Sequence, residues 1–237
     1  MPDCIREGRP VQVLLDIKAK TNTPKTRSAV EDAEERKINS LLLAVFNAAG
    51  ERELLQEYSY AELLQAAEAA GNVDTETPTS SGFLRISLTT GAKTFFLVAN
   101  YDAETHGGIY EFAPDAFRNV TSLSDLASIE ARLGSRTIFR TNGSFLMSAT
   151  EEAAVTQDNQ RISIGLVRAD AKITFDITTG NGVEFAPLHY RVVHIPLATY
   201  VRERPKGTEK PEDWDASTEE ATDYFDSTEN YFEGEAG

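Results

Sequence analysis

An alternating run near the amino terminus restricts the fold more than any other pattern in the chain. From residue 11 to residue 18 the odd positions are aliphatic, and the even positions are polar except for one leucine. Successive side chains of a β-strand point to opposite faces, so this run predicts a strand with one buried face. The side chains that would face the core are those of Val11, Val13, Leu15 and Ile17.

Several later runs also have strand patterns. Residues 38–47 are apolar at even and odd positions, which is typical of a central strand covered on both faces. Residues 83–88 alternate and residues 94–100 are densely apolar. Apolar positions change from even to odd between residues 162–166 and 171–177, which predicts a β-bulge at 168–170. A last strand is predicted over residues 190–200, and its Pro196 indicates a sheet edge or a bulge.

Two short helices are predicted in the connections. Ser59 and Glu62 have the spacing of a capping box, and Gly71 supplies the end of that helix. The second helix is predicted over residues 122–133, where leucine and isoleucine recur at three- and four-residue spacing. Many strands without βαβ alternation indicate an all-β chain folded as an antiparallel sandwich.

The charge distribution excludes some partners. The formal net charge is −15, which disfavours nucleic acid and an anionic lipid surface, because both require clustered Lys and Arg. Residues 209–237 hold eleven acidic residues and one Lys, a composition typical of a solvated tail or linker. The single cysteine, Cys4, excludes an internal disulfide framework and a multi-cysteine metal site. No apolar leader and no run of membrane-spanning length is present.

The sequence holds no pattern typical of catalysis. His189 and His194 are five positions apart and would face opposite sides of one strand, while His106 lies in a separate Gly-rich loop. A metal site needs convergent ligands, so no metal and no cofactor is expected. No phosphate loop, nucleophile elbow or HExxH helix occurs. The acidic pairs at 34–35 and 151–152 are interpreted as parts of polar loops. We therefore expect a protein that is not an enzyme.

The order of the strand motifs resembles one known family. In this order and spacing the chain is similar to the N-terminal domain of the fimbrillins of Bacteroidales, the subunits of type V pili. The matching motifs are TRSA at residues 26–29, INSLLLAVFN at 38–47, FFLVAN at 95–100, FLMSA at 145–149, LVRADAKI at 166–173 and YRVVHIPLATY at 190–200.

The resemblance implies a domain organisation and a location. Fimbrillin subunits are similar to two stacked transthyretin-like Greek-key β-sandwiches. We expect residues 1–204 to form the N-terminal sandwich, with residues 1–27 as a removable first strand and linker. Residues 205–237 would be an acidic tail or linker leading to a C-terminal domain. Family members are exported lipoproteins of the outer membrane and cell surface, so the resemblance makes Cys4 a candidate lipid anchor in the precursor, with an ordinary free thiol as the alternative.

The resemblance also implies processing and partners. Fimbrillins are trimmed by a trypsin-like protease after an arginine, and Arg27 in the polar segment after the first strand is the candidate, with Arg36 as the alternative. Cleavage would free the first strand, and a donor strand from another pilin subunit would occupy its place. Head-to-tail insertion of this kind propagates a fibre that supports adhesion.

Other functions remain open at this stage. The chain could be a secreted sandwich that binds glycan or protein through aromatic side chains of a long loop, or these side chains could anchor the loop to the core. It could also be the anchor or tip subunit of the same pilus. The aromatic residues are Tyr101, Tyr110, Phe112 and Phe117.

Overall fold

The structure is a computed structural model. It describes residues 7–20, 36–69, 81–102, 109–126, 128–133, 144–169, 188–190, 195–196, 198–202, 224–225 and 230–232. The strands are β1 Pro10–Ala19, β2 Ser40–Phe46, β3 Arg52–Ser59, β4 Ser81–Thr89, β5 Gly91–Ala99, β6 Tyr110–Glu111, β7 Glu130–Leu133, β8 Met147–Val155, β9 Gln160–Arg168, β10 Leu188–Tyr190, β11 Ile195–Pro196, β12 Ala198–Tyr200, β13 Tyr224–Phe225 and β14 Asn230–Phe232. The helices are α1 Tyr60–Ala69 and α2 Leu123–Leu126.

The main sheet has seven strands in the order β3-β2-β5-β8-β9-β1-β4. Strands β8 and β9 pair at Met147–Arg168 and Ser148–Val167, and β9 then continues alongside β1. Side chains from both halves of the sheet, β2-β5-β8 and β9-β1-β4, meet in one apolar cluster, so the sheet folds over on itself as a sandwich. The all-β prediction with two short helices is confirmed, whereas the Greek-key connectivity stays a prediction.

One pairing contradicts the expected antiparallel arrangement. Strands β1 and β9 run parallel, with Val13 opposite Gln160 and Ala19 opposite Leu166. The other pairings of the main sheet are antiparallel. The strand patterns alone did not distinguish the two directions, because both place alternate side chains on opposite faces.

Strand β2 is apolar at every position but the first because its sheet is covered on both faces. Leu41, Leu43 and Val45 face the sandwich core, and Leu42, Ala44 and Phe46 face a second apolar cluster. The second cluster takes side chains from the segments 109–133 and 144–146 and from Val201. All of β2 is buried, which confirms the sequence interpretation of a central strand.

Helix α1 begins as the sequence predicts. The Ser59 backbone N–H donates to Glu62 Oε2 at 2.8 Å, and the Ser59 hydroxyl donates to the same oxygen at 2.7 Å. The reciprocal bond from the Glu62 N–H to Ser59 Oγ is 3.5 Å long. This is the capping box that fixes the first turn of a helix. The helix then packs on β4 and β3.

The second predicted helix is wrong over most of its length. Helix α2 is limited to Leu123–Leu126, and the residues that should continue it form β7, Glu130–Leu133. Ala131 is buried, and β7 pairs with both β12 and β6. The two ladders therefore outweigh the helical spacing of the apolar residues, as tertiary contacts commonly do.

Further differences concern strand extents. The acidic pair Glu151–Glu152 lies in β8, opposite Phe95 and Thr94 of β5, and not in a loop. Of the strand predicted over residues 190–200, the described residues lie in β10, which pairs with β14, in β11, which pairs with β13, and in β12, which pairs with β7, while residues 191–194 and 197 lie outside the described part of the chain. Pro196 lies in β11, which pairs with β13 in a sheet of two described strands.

Two short stretches of the acidic carboxyl-terminal segment are also paired, as β13 and β14. The acidic composition of this segment had predicted a solvated tail or linker without strands. The domain boundary at residue 204 and the bulge at 168–170 stay predictions, since residues 170–187 and 203–223 lie outside the described part of the chain.

Candidate functional site

The first strand occupies an interior place in the main sheet. It pairs antiparallel with β4 over the register Pro10–Thr89 to Lys18–Ser81. It pairs parallel with β9 over the register Val13–Gln160 to Ala19–Leu166. Of the strands that the structure describes, β4 is the last on this side. We call the space between β4 and β9 that β1 fills the first-strand slot.

The inward side chains of β1 are the four predicted from the sequence. Val13 and Leu15 are 0% exposed, and Val11 and Ile17 are 5% and 2% exposed. They lie in the sandwich core. Their neighbours from β4 are Leu84, Ile86 and Leu88, and those from β9 are Ile162, Ile164 and Leu166.

The outward side of β1 is less covered. Gln12, Leu14 and Asp16 are half-buried, and Lys18 is exposed. Lys18 Nζ lies 3.0 Å from Asp16 Oδ2 on the same strand. The strand is therefore amphipathic, with an apolar face inside the slot and a mostly polar face outside it.

Backbone hydrogen bonds hold both ends of β1. At the amino end, Gly8 N–H donates to the Thr90 carbonyl at 3.0 Å, and Thr90 N–H donates to the Arg9 carbonyl at 2.9 Å. The Thr90 hydroxyl oxygen also accepts from Arg9 N–H at 3.1 Å. At the other end, Lys20 N–H donates to the Leu166 carbonyl at 2.7 Å.

A buried ion pair binds the carboxyl end of β4, which lies beside the amino end of β1. Lys93 on β5 is 3% exposed at its side chain and contacts Glu53 on β3, which is 19% exposed. Glu53 Oε1 also accepts from the Thr89 N–H at 2.6 Å and from the Thr89 hydroxyl at 2.9 Å. Burial raises the pKa of Glu53, but the hydrogen bonds from Lys93 and Thr89 outweigh it, so the pKa lies below its usual value.

This pair is not predicted by the sequence pattern. Its only signal is a lysine at the start of the apolar run of β5. A lysine whose head group is buried requires a partner charge. The partner lies in β3, a strand that the sequence analysis did not predict.

Of the residues predicted for lipid attachment and processing, Arg36 lies within the described part of the chain and the other two do not. Cys4 and Arg27 lie outside the described residues, as do His106 and His194. Arg36 is half-buried, four residues before β2 begins, and its Nε atom is buried without a hydrogen-bond partner. His189 lies in β10.

The aromatic residues of the long loop pack inward. Tyr110 and Phe117 are both 6% exposed, and Tyr101 and Phe112 pack against the second apolar cluster. The Phe117 ring centroid lies 5.3 Å from that of Tyr101 and 5.1 Å from that of Phe112. These side chains therefore anchor the loop to the sandwich, which is the second of the two roles that the sequence left open.

A surface ion pair lies beside this aromatic cluster. Glu57 Oε1 accepts from Arg118 Nε at 3.1 Å, and Glu57 Oε2 accepts from the Tyr101 hydroxyl at 3.1 Å. The bond from Arg118 lowers the pKa of Glu57. Burial, together with the neighbouring Glu57 carboxylate, raises the pKa of Tyr101. The pair joins β3 to the loop.

Within the described ranges, no three His, Cys, Asp or Glu side chains come together as a metal site would require. No helix in the part of the chain that the structure describes combines the length and apolarity needed to cross a membrane.

Comparisons with solved structures find proteins of similar fold. A fimbrial assembly protein from Parabacteroides distasonis is 15% identical, with a TM-score of 0.51 over 86% of this chain and 68% of that protein. The tip fimbrial protein Mfa3 from Porphyromonas gingivalis, solved with a C-terminal truncation, is 18% identical, with a TM-score of 0.44 over 67% of this chain and 48% of that one. The fimbrial anchor protein Mfa2 from the same organism is 15% identical, with a TM-score of 0.39 over 67% and 50%.

The chain thus spans about half the length of Mfa3 and Mfa2 and about two thirds of the assembly protein. No curated protein sequence matches it. The family model described as "Major fimbrial subunit protein (FimA)" matches residues 10–184, which include β1 and the other six strands of the main sheet. The chain therefore belongs to the major fimbrial subunit protein (FimA) family.

Proposed function

We propose that the chain is a structural subunit of a cell-surface pilus that assembles by donor-strand exchange. In this proposal a trypsin-like protease cuts the chain after β1, β1 leaves the first-strand slot, and an extended segment of another subunit enters it. The membership in a fimbrial subunit family supports the role in a pilus. The observation that supports the exchange is the interior place of β1, with four inward aliphatic side chains between β4 and β9.

The energetic consequence of losing β1 is large. Burying one aliphatic side chain of this size contributes roughly 1.5–3 kcal/mol, so the four inward side chains contribute about 6–12 kcal/mol. The free energy of unfolding of an ordinary domain is about 5–15 kcal/mol. A chain with an empty slot is therefore close to unfolding, and it gains stability from any strand that restores the lost burial and both ladders.

The position of the slot also favours a partner strand. Removal of β1 would expose the backbone N–H and C=O groups of β4 and β9 that now pair with it. Unpaired strand edges recruit other strands, and an added strand binds through main-chain hydrogen bonds and alternate side-chain pockets. Insertion of one subunit into the next is head-to-tail and open, so it yields a filament.

The candidate cleavage sites lie in the segment that connects β1 to β2. Strand β1 ends at Ala19 and β2 begins at Ser40, so a cut at Arg27 or at Arg36 leaves β1 without a covalent bond to the sandwich. We propose Arg27 as the processing site and Arg36 as the alternative. Cys4, before β1, is the proposed lipid attachment point that would hold the precursor at the outer membrane until the cut.

Limited trypsin treatment of the full chain tests the proposal. Mass spectrometry should find cleavage at Arg27, and the Arg27→Ala variant should lose that cut. The nicked chain should then exchange its own β1 for a labelled peptide of residues 9–20.

A peptide with Leu15→Asp places a charge in the core and should not enter. A peptide with Leu14→Asp, changed on the outward side, is the matched control and should enter. If the nicked chain keeps its first strand in the presence of excess peptide, the donor-strand proposal is wrong.

A further inference from the structure

The amino end of β1 is bound to the turn between β8 and β9, residues 156–159. One of these bonds has a side-chain oxygen as its acceptor, where a regular sheet would have a backbone carbonyl. Gln12 N–H donates to Asp158 Oδ1 at 2.7 Å. The Gln12 carbonyl accepts from the Asn159 N–H, also at 2.7 Å. Both polar groups of one residue's backbone are thus bound by two consecutive residues of the turn.

The register explains why a side chain is needed there. Val13 lies opposite Gln160, so Gln12 would lie opposite Asn159. In a regular parallel ladder, Gln12 N–H would then donate to the backbone carbonyl of residue 158. Lys20 N–H follows this rule at the other end, where it donates to the Leu166 carbonyl.

Asn159 has φ 55°, in the left-handed region. The chain therefore leaves the extended conformation just before β9 begins. The Asp158 carboxylate takes the place of the backbone carbonyl at that point, and the ladder is extended by one residue.

Neighbouring side chains hold the carboxylate in place. Asn159 Nδ2 donates to Asp158 Oδ2 at 3.0 Å, and Arg85 Nη1 donates to Asn159 Oδ1 at 3.0 Å. Arg85 belongs to β4 and lies opposite Leu14, so its side chain reaches past β1 to the turn on the other side. Gln12 Nε2 also donates to Ser87 Oγ of β4 at 2.7 Å. Both walls of the slot therefore contact residue 12.

Burial of the apolar face of β1 does not by itself determine the register of β1 in the slot. A slip of two residues keeps the same side chains facing inward. It would still place three of the four aliphatic residues of β1 in the core, because they recur at every second position. A slip that brings Pro10 to the place of Gln12 would leave the Asp158 carboxylate without a donor, since proline has no N–H.

We propose that Asp158 and Asn159 form a register clasp that binds the backbone of any strand occupying the first-strand slot. This inference rests on the proposed function and specifies the partner: an extended segment of another subunit, with aliphatic residues at alternate positions. At the place of Gln12 that segment has a residue with a backbone N–H and therefore not proline. A hydrogen-bonding side chain at this place adds the contact to Ser87.

Peptide exchange with backbone-modified strands tests the clasp. Trypsin-nicked full chain, wild type or Asp158→Ala, is mixed with the 9–20 peptide carrying an N-methyl group on Gln12 or, as the control, on Asp16. Both N–H groups face β9 by parity, but only that of Gln12 donates to the clasp. Glu68→Ala, which removes an exposed carboxylate on α1, is the matched control variant.

We expect N-methylation of Gln12 to weaken peptide occupancy about tenfold in the wild type and Glu68→Ala, since a hydrogen bond to a charged group contributes about that much. In Asp158→Ala the same modification should have much less effect, whereas N-methylation of Asp16 should weaken binding equally in all three proteins. Peptide entry with the same Gln12 penalty in wild type and Asp158→Ala would overturn the clasp and leave donor-strand exchange standing.

Hydrogen exchange in the uncut chain separates the two proposals when no peptide enters. In Asp158→Ala the Gln12 amide should exchange faster by about tenfold, while the Lys20 amide, bound to a backbone carbonyl, should be unchanged. That result supports the clasp on the chain's own strand even where donor-strand exchange fails. Equal exchange at Gln12 in both proteins would overturn the clasp.

Discussion

The buried pair of Glu53 and Lys93 gives an asymmetric prediction about stability. Lys93 is 3% exposed and Glu53 is 19% exposed at their side chains. Glu53→Leu leaves the Lys93 ammonium buried without its counter-charge, with the Thr89 hydroxyl as an acceptor at 2.9 Å, and also removes the acceptor of the Thr89 N–H. Lys93→Met leaves the Glu53 carboxylate with two donors from Thr89 and partial access to water.

The magnitudes follow from this difference in burial. Removal of one partner of a buried ion pair costs about 3–5 kcal/mol when the remaining charge is uncompensated, and we expect Glu53→Leu to lie in this range. The Glu53 carboxylate left by Lys93→Met keeps two hydrogen bonds and access to water, so we expect this variant to cost about 1–2 kcal/mol. The double variant removes both charges and should be more stable than Glu53→Leu alone.

Urea unfolding followed by circular dichroism measures these free energies of unfolding, with unchanged m-values as the condition for comparison. Glu57→Leu is the control, because Glu57 lies on the same strand but pairs with an exposed arginine, and such pairs contribute about 0–1 kcal/mol. The reasoning is refuted if Glu53→Leu costs no more than Lys93→Met, or if the double variant is the least stable of the three.

Three further outcomes are expected from the same unfolding assay. Leu15→Ala should cost about 2–5 kcal/mol as a buried truncation, and half-buried Leu14→Ala clearly less; equal losses would contradict the inward assignment. Asn100→Ala should cost about 2–4 kcal/mol, because the buried amide bonds four backbone groups at φ 58°, whereas Asn100→Gly should cost less by keeping the backbone conformation. The folded-state pKa of Glu53 is lowered, so its stabilisation is present above the unfolded pKa of about 4.3 and is lost as pH falls through the lower folded value. The stability difference between wild type and Glu53→Gln should therefore shrink from pH 6 to pH 3, and a difference that grows would contradict this sign.

The strands that could be predicted from the sequence are those whose surroundings are uniform along their length. Strand β1 has one face in the core at every odd position, so its alternation is regular. Strands β2 and β5 are covered on both faces, so their apolar runs are continuous. In each case the position of the strand in the sheet gives the same burial along the whole strand, and the sequence pattern reflects that burial.

Strand β3 was missed and β8 was predicted only as a short strand at residues 145–147, and both have surroundings that change along the strand. Strand β3 is the edge of the main sheet, only partly buried along its length, and its sequence RELLQEYS has no clear period. Strand β8 is buried at Met147 and Val155 but exposed at Glu151 and Glu152 between them. Its described pairing to β9 covers only Met147 and Ser148. The polar middle of β8 therefore resembles a loop in the sequence.

The contacts beside the amino end of β1, one at each wall of the slot, were beyond sequence reasoning for a different reason. Gln12 and Asp158 are 146 positions apart, and Glu53 and Thr89 are 36 positions apart. Each residue alone is an ordinary polar residue of a strand or turn. Only the register of β1 against β9, and the closeness of β3 to the β4–β5 turn, give these residues a role.

The two walls of the first-strand slot are held by contacts that do not depend on β1. Strand β9 pairs with β8 at Met147 and Ser148. Among the described strands none lies beyond β4 in the main sheet, but α1 packs along it and Glu53 binds its last residue, Thr89.

In the fraction of the nicked chain that stays folded, the loss of β1 removes the burial between the walls but not these contacts. A new strand then binds to walls that are already ordered. Its binding free energy is not reduced by the cost of ordering them, so its affinity is higher. We therefore expect Glu53→Leu to weaken peptide uptake by the nicked chain although Glu53 contacts no residue of β1 in the described hydrogen bonds. Unchanged uptake would mean that the incoming strand itself orders β4.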